Sequence, residues 1–384
     1  MIVYNTIKGD CMENNFEFWE DYLTKIKNKM CSICKEKEAI FIDLHIHSNY
    51  SADGKQTLKE IIKSTKKFGF DVISITDHDS IKVYDELFEI VKNGLTYPLI
   101  IPGVELTIDN SEYGNQCHIL QLFINPKESN LMNNVIKNYN AMFKRSEIQF
   151  ERLSENKAVQ ELISKNNIDL SYHEYIEYLN ENHLVPEYDT LGSYLMNKFK
   201  EKNINTFEIL NRLEHYNLFE TNLDKKKYKE IRFNKLKNKH LKTKNNYFDS
   251  HLLMSMLAIK EIDDDWWDSP SCGSLSVNSY GQLKINEINN KYMTVWAHPT
   301  ENKLCVVEKC IKKSKNIIGL EQNIRNRYEN INNFNDLLEK NNLFRIFGSD
   351  SHDNSGEFYR DMLYYKIDSL YFMKNVLGVT NEKN

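Results

Sequence analysis

The sequence predicts an α/β protein whose strands close into a barrel, and two observations carry that prediction. Seven short runs rich in β-branched and aromatic residues are separated by longer amphipathic stretches, the pattern of strands covered by helices. Six short motifs concentrate metal-binding side chains, and five of them close such a run. That is where a barrel gathers the residues that do chemistry.

In chain order the runs are AIFIDLHIH (39–47), DVISITDH (71–78), PLIIPGVEL (98–106), CHILQLFI (117–124), YMTVWAHP (292–299), NIIGLEQN (316–323) and LFRIFGSDSH (343–352). All seven read as buried parallel strands. Between the first two, TLKEIIKSTKKFG repeats Leu58, Ile61, Ile62 and Thr65 at helical spacing, and Gly69 is a C-terminal stop. LCVVEKCIKKSK and NFNDLLEKNN restore the alternation near the C-terminus. Such units build either an open doubly wound sheet or a barrel, and ligands drawn from the ends of many strands favour the barrel. His118 is the exception, because it begins its run.

The middle of the chain breaks the alternation. NNVIKNYNAMFKRSEIQFERLSENK, SYHEYIEYLNENH and DTLGSYLMNKFKEK read as helices. They precede a basic stretch, Lys225 to Lys244, in which ten of twenty residues are Lys or Arg, and an acidic, aromatic EIDDDWWD (Glu261 to Asp268). The expected organisation is a helical arm over 1–38, a discontinuous barrel over 39–130 and 290–375, an inserted helical cap over 131–289 and a tail over 376–384.

Composition bounds the function class. With 41% hydrophobic and 27% charged residues and no apolar run of membrane-spanning length, the chain reads as soluble and globular. The N-terminus lacks a basic segment followed by an apolar one, so a cytoplasmic location is expected. Seven scattered cysteines suit reduced thiols, and the Cys31/Cys34 pair has no second CxxC to complete a zinc site. A formal net charge of −5 excludes a uniformly basic surface, although it leaves room for the local patch at 225–244.

The motifs are DLHIHSNYSADG, TDHD, PGVEL, CHILQLF, AHP and GSDSHD, and they hold six of the chain's eleven histidines. In a strand, residues i and i+2 share a face, so His45 and His47 can grip one ion together. Asp53 follows in the same loop, with Gly54 freeing the backbone to turn. Thr76-Asp-His-Asp79 puts three charged or metal-binding side chains in a row at a strand end, costly to bury without ions or partners. Glu105 ends a third strand, where a carboxylate can bridge ions. With His118, His298, Asp350 and His352 the set is a mix of imidazole and carboxylate suited to Mn, Zn or Fe. Nine donors exceed what one tetrahedral ion uses, so two or three divalent ions are expected, with phosphoester hydrolysis as the matching chemistry. Asp43 and Asp77, each beside a ligand, are expected to act in catalysis by accepting the second ring N–H of an imidazole.

In this order the motifs resemble those of the polymerase and histidinol phosphatase (PHP) superfamily. The resemblance covers residues 41 to about 125 and about 290 to 353. It implies a distorted seven-stranded (β/α)7 barrel and a metal-dependent phosphoesterase working through a bridging hydroxide. It also implies that His45, His47, Asp53, His78, Glu105, His118, His298, Asp350 and His352 ligate a trinuclear centre. Relatives carry an arginine-rich helix after the fourth strand, a part that Arg145 and Arg152 would play by contacting substrate phosphate. The Arg-Pro-His stretch that follows in relatives is replaced here by LVPEYDTLGSYL.

The substrate is expected to be nucleic acid, with Lys225 to Lys244 tracking the phosphate backbone and Tyr228, Phe233 and His240 stacking bases. The alternatives are a small phosphomonoester, such as a nucleotide or a histidinol phosphate-like metabolite, and a metal-stabilised interaction module. In the module reading the inserted region docks a protein partner, with Trp266 and Trp267 as the candidate surface.

Overall fold

In a computed structural model of the chain, the residues described are 15–51, 53–109, 117–182, 184–186, 188–215, 230, 233–235, 237–238, 253–254, 281–288, 291–299, 304–323, 331–353 and 366–379. They divide into two compact units. One takes the described residues up to Ile108, Cys117–Asn138 and those from Gln282 onward; the other takes Asp109 and the described residues from Tyr139 to Gly281.

The first unit is built on a curled sheet. Its strands are β1 (Ala39–Ile46), β2 (Val72–Ile75), β3 (Leu99–Asp109), β4 (Cys117–Leu122), β5 (Leu283–Lys284), β6 (Met293–Trp296), β7 (Gly319–Asn323), β8 (Phe344–Gly348) and β9 (Lys366–Asp368). The order is β8-β7-β6-β4-β3-β2-β1-β9, with β5 pairing to β3 off this path. Beyond β8 the backbone turns onto β1: Asp350 N donates to His45 O and His47 N donates to Ser351 O, each at 2.9 Å. The sheet thereby curls back on itself at the end that carries the motifs.

Two expectations need correction. Each of the seven runs contains a strand, but the sheet also takes in β5 and β9, whose two and three residues are too short to leave a periodic signal. And β4 is not parallel to its neighbours. It runs antiparallel to both β3 and β6, since only the short segment 110–116 links β3 to β4 and a parallel return needs a longer crossover.

Helices cover the sheet for reasons legible in their residues. Helix α1 (Phe16–Glu36) buries Trp19, Tyr22, Leu23, Ile26 and Met30 along one face. Tyr22 O–H reaches across to donate to Ile100 O at 2.8 Å. Helix α2 (Leu58–Phe68) opens on a Thr57/Glu60 capping box and ends at Gly69, whose φ of 80° is left-handed. Such a cap contributes about 1 kcal/mol. Helix α3 (Val83–Lys92) follows β2.

The second unit contains most of α4 (Ser129–Glu155), then α5 (Lys157–Asn166), α6 (Tyr172–Glu181), α7 (Tyr188–Glu201) and α8 (Thr206–Glu214). It has its own core, to which Phe150, Leu162, Tyr175, Leu195, Phe199 and Phe233 contribute. Among the described residues no helix is long and apolar enough to cross a membrane.

Candidate metal centre

The alternation of side chains along β1 puts Asp43, His45 and His47 on one face, and the two imidazoles meet, Nε2 to Nε2, at 3.0 Å. Glu105, near the middle of β3, comes up between them. Its Oε2 lies 2.9 Å from His45 Nε2, 3.1 Å from His47 Nε2 and 3.3 Å from His78 Nδ1. Its Oε1 lies 3.1 Å from His118 Nδ1 and 3.0 Å from His298 Nε2. One carboxylate with no exposed surface therefore faces five imidazoles.

The remaining candidates close around this core. Asp350 Oδ1 lies 3.2 Å from His47 Nε2, and Asp53 Oδ2 lies 2.8 Å from His352 Nε2 and 3.6 Å from His78 Nε2. All nine candidate ligands are thus drawn into one cluster. Three overlapping groups can each surround an ion: His47, Asp53, His78 and His352; His45, His47, Glu105 and Asp350; and His78, Glu105 and His118. Each pair of groups shares one residue.

The reversed direction of β4 explains the placement of His118. In an antiparallel ladder the start of one strand lies beside the end of the other, so His118 pairs with Thr107, two residues past Glu105.

Local backbone is specialised here. Asp79, His298 and Asp350 have φ of 45°, 29° and 53°. Aspartate tolerates this left-handed region, whereas for histidine it costs on the order of 1–3 kcal/mol and needs support. Gly54 does not use the positive-φ freedom expected of it. A Cβ there would stand 1.9 Å from Ser48 O, so glycine is required by the close approach of two loop strands.

The electrostatics are those of a cation site. Burial disfavours charge on His45, but Glu105, Glu321 and Asp350 override it and hold its pKa well above the usual range. Burial likewise opposes protonation of His47, yet Asp350, Glu105 and Asp53 bring its pKa up to about 10. Glu105 and Asp53 are held well below the carboxylate range against the effect of burial, by the surrounding imidazoles. At His78 burial wins, and its pKa falls to about 3, leaving a neutral ring suited to donate a lone pair. The fully buried Glu105, the largely buried Asp350 and the more exposed Asp53, facing imidazole nitrogens at these distances, fit divalent cations.

Asp43 and Asp77 do not do what was expected. Asp43 accepts from Ser349 N at 3.0 Å and Ser349 Oγ at 2.7 Å; Asp77 accepts from Ser48 N at 2.6 Å and Ser48 Oγ at 2.7 Å. Geometry gives the reason. A residue two positions back in a strand sits roughly 6–7 Å along it, and an adjacent residue points to the other face, so neither carboxylate reaches its neighbour's ring. They pin the turns that carry ligands. Burial raises the pKa of each to about 6, with the serine hydrogen bonds opposing the shift.

The carboxylate that meets the second ring nitrogen of His45 is Glu321 of β7, a residue outside the expected set. His45 Nδ1 lies 3.0 and 3.1 Å from its two oxygens. The available signal was a charged residue inside the apolar run NIIGLEQN, where burial demands a partner. Asn138 is the partner that Asp79 of the TDHD motif requires, and it was not among the expected site residues: its Nδ2 donates to Asp79 Oδ1 at 2.6 Å and to Thr107 O at 2.8 Å, bracing β3. Arg145 lies on α4 in the second unit, with 6% of its surface exposed.

Residues 43–210 match the family model described as the PHP domain. Over those residues the chain is similar to PHP domains. The match takes in the motifs from Asp43 through His118, while His298, Asp350 and His352 lie beyond it and join the same cluster by geometry. An uncharacterized protein of Methanocaldococcus jannaschii is 32% identical over 93 residues, 22% of this chain and 50% of that protein, so the match spans half of that relative's length. Among solved structures, a protein assigned as a metal-dependent phosphoesterase of Bifidobacterium adolescentis is 17% identical with a TM-score of 0.46, over 85% of this chain and 96% of that one. An amidohydrolase of Chromobacterium violaceum with bound sulfate is 14% identical with a TM-score of 0.41, over 85% and 98%.

Other expectations fall at the edge of the structure or beyond it. In the basic stretch Phe233 is fully buried, so it offers no face for stacking a base, and Lys237 Nζ pairs with Glu214 at 2.7 Å. Tyr228, His240, Trp266 and Trp267 lie outside the described residues. Cys31 and Cys34 are both free thiols.

Proposed function

We propose that the chain is a metal-dependent hydrolase of phosphoester bonds. The observation that carries this reading is Glu105, a buried carboxylate bracketed by five imidazoles from β1, β4 and the ends of β2 and β6. The nine candidate ligands would hold two or three divalent ions, and Mn, Zn and Fe suit this mix of nitrogen and oxygen donors. Ions held there would supply charge neutralisation for a phosphoryl group and activation of water at neutral pH.

The chain's own residues do the positioning. Ser51 Oγ lies 3.1 Å from His47 Nδ1 and donates to Asp53 Oδ1 at 2.9 Å, tying the HxH pair to the loop carboxylate. His352 Nδ1 faces the Asp350 carbonyl at 2.7 Å, which leaves Nε2 for Asp53. Side-chain exposure rises from zero at His45, His47 and Glu105 to 28% at His118, 31% at His298 and 44% at Asp53. Substrate enters from that open side. Arg145 is assigned to the substrate phosphate on the motif resemblance, and its planar guanidinium suits that role.

For the substrate itself, the lysines of 225–244 favour a polynucleotide. The burial of Phe233 and the Lys237–Glu214 pair favour the alternative, a small phosphomonoester. Elemental analysis of purified protein, followed by assays on nucleotides, histidinol phosphate and short oligonucleotides with Mn, Zn and Fe, tests the proposal. Metal content well below about two ions per chain would sink the multinuclear centre. Full loading with no turnover of any phosphoester would favour the interaction module.

A further inference from the structure

We propose that Glu321 is a positioning residue that sets the tautomer of His45 and anchors the turn carrying His298. The inference rests on the reading of these two histidines as metal ligands. Glu321 lies in the middle of β7 with no exposed surface, where an ionised carboxylate is costly unless its oxygens are fully engaged. Both oxygens are directed at the centre. Oε1 and Oε2 bracket His45 Nδ1 at 3.0 and 3.1 Å, and Oε2 accepts the backbone N–H of His298 at 2.6 Å.

The two nitrogens of a neutral imidazole are coupled: a proton on one leaves the lone pair on the other. With Nδ1–H donated to Glu321, His45 presents its lone pair at Nε2. That is the atom lying 2.9 Å from Glu105 Oε2, 3.0 Å from His47 Nε2 and 3.6 Å from Asp350 Oδ1. His47 and His352 meet weaker partners at Nδ1, the Ser51 hydroxyl and the Asp350 carbonyl. A carboxylate at this position also raises the basicity of the ring it holds.

The second contact supports strained backbone. His298 has φ of 29°, and a short hydrogen bond from its N–H to a charged acceptor helps offset that conformation. The site is built to admit the carboxylate. A Cβ on Gly348 would lie 2.1 Å from Glu321 Oε1 and 2.5 Å from His45 Cβ, so β8 must carry glycine where Glu321 reaches toward β1.

Two measurements on the full-length protein test the role. The first is metal affinity of wild type, Glu321→Gln and Glu321→Ala by competition with a chelator, using Mn and Zn, with thermal melts of the metal-free proteins as a folding control. Glu321→Gln, which keeps the shape and loses the charge, is expected to weaken binding about 10- to 100-fold without a matching loss of fold. Affinities within about threefold of wild type for both variants would overturn the proposal. The second uses wild type alone, so it stands even if the variants misfold. Nitrogen-15 NMR of the histidine rings in the zinc-loaded protein is expected to show His45 protonated at Nδ1. Protonation at Nε2 instead would overturn the proposal. Wild type that binds no metal would refute the metal centre itself, whereas metal-binding wild type with an indifferent Glu321 would refute only this role.

Discussion

Thr107 and His118 face each other across the antiparallel β3–β4 ladder, and that pairing carries the imidazole to the same end of the sheet as His45, His47 and His78. His118 Nδ1 then reaches Glu105 Oε1 at 3.1 Å and His298 Nε2 at 3.3 Å. As a 28%-exposed side chain it supports the site more than the fold. His118→Ala is expected to leave the melting temperature of metal-free protein within a few degrees of wild type, at a cost of about 0.5 kcal/mol or less. It should still lower bound metal by about one ion per chain, because His78 and Glu105 lose the third member of their group. Elemental analysis beside a thermal melt checks both. Unchanged metal content would remove His118 from the ligand set.

Glu105 belongs to two of the three groups and faces members of the third, so its loss should be felt directly by the ions of two groups. Glu105→Gln keeps the volume but puts an amide among five imidazoles and removes the charge that attracts cations. Phosphoesterase activity is expected to fall by at least about a thousandfold, through weaker charge stabilisation at the reacting phosphoryl group. Metal content should fall with it. Retained metal together with retained turnover would show that Glu105 is a structural partner of the histidines.

How much of this was legible in the sequence follows from which interactions are local. His45-x-His47 could be read because a strand's period of two is fixed by the backbone. The run of helix α2 could be read because its apolar stripe and its glycine stop are written in nearby residues. The direction of β4 is obscured, since an apolar run looks the same in either orientation, and only the shortness of the 110–116 link bears on it. Proximity in sequence points Asp43 and Asp77 at the imidazoles beside them, whereas the fold gives each a serine instead. Their serines come from elsewhere, Ser349 lying 306 residues beyond Asp43. Glu321 was missed for the same reason: its partner His45 is 276 residues away, and only the fold brings them together.

Asp77 supplies a stability prediction distinct from catalysis. It accepts from both the backbone N–H and the hydroxyl of Ser48, and all these groups are buried. Asp77→Ala leaves two buried donors without an acceptor and is expected to destabilise metal-free protein by about 2–4 kcal/mol. Combining it with Ser48→Ala removes one of the stranded donors, so the double variant should lose less than the sum of the two single changes. Urea unfolding of the four proteins checks this. Strict additivity would show that the pair is not coupled.

Cys34 gives a pH-dependent prediction away from the metal centre. Burial pushes its thiol up to about 11, with Cys31 adding to the shift, whereas Cys305 is exposed. A thiol with that pKa is about one part in a thousand thiolate at pH 8, and the thiolate is the species that reacts. Iodoacetamide at pH 8 should therefore label Cys305 long before Cys34. The shift also sets the sign of a stability effect. Because the folded pKa lies above the unfolded value of about 8.5, the contribution of Cys34 is fully present below that value and is lost as pH rises through about 11. Cys34→Ala should flatten the fall in stability over that alkaline window while leaving the curve near pH 7 parallel to wild type. Mass spectrometry of the labelled protein and melts between pH 8 and pH 11 decide the matter, and rapid labelling of Cys34 at pH 8 in folded protein would contradict its burial against the sheet.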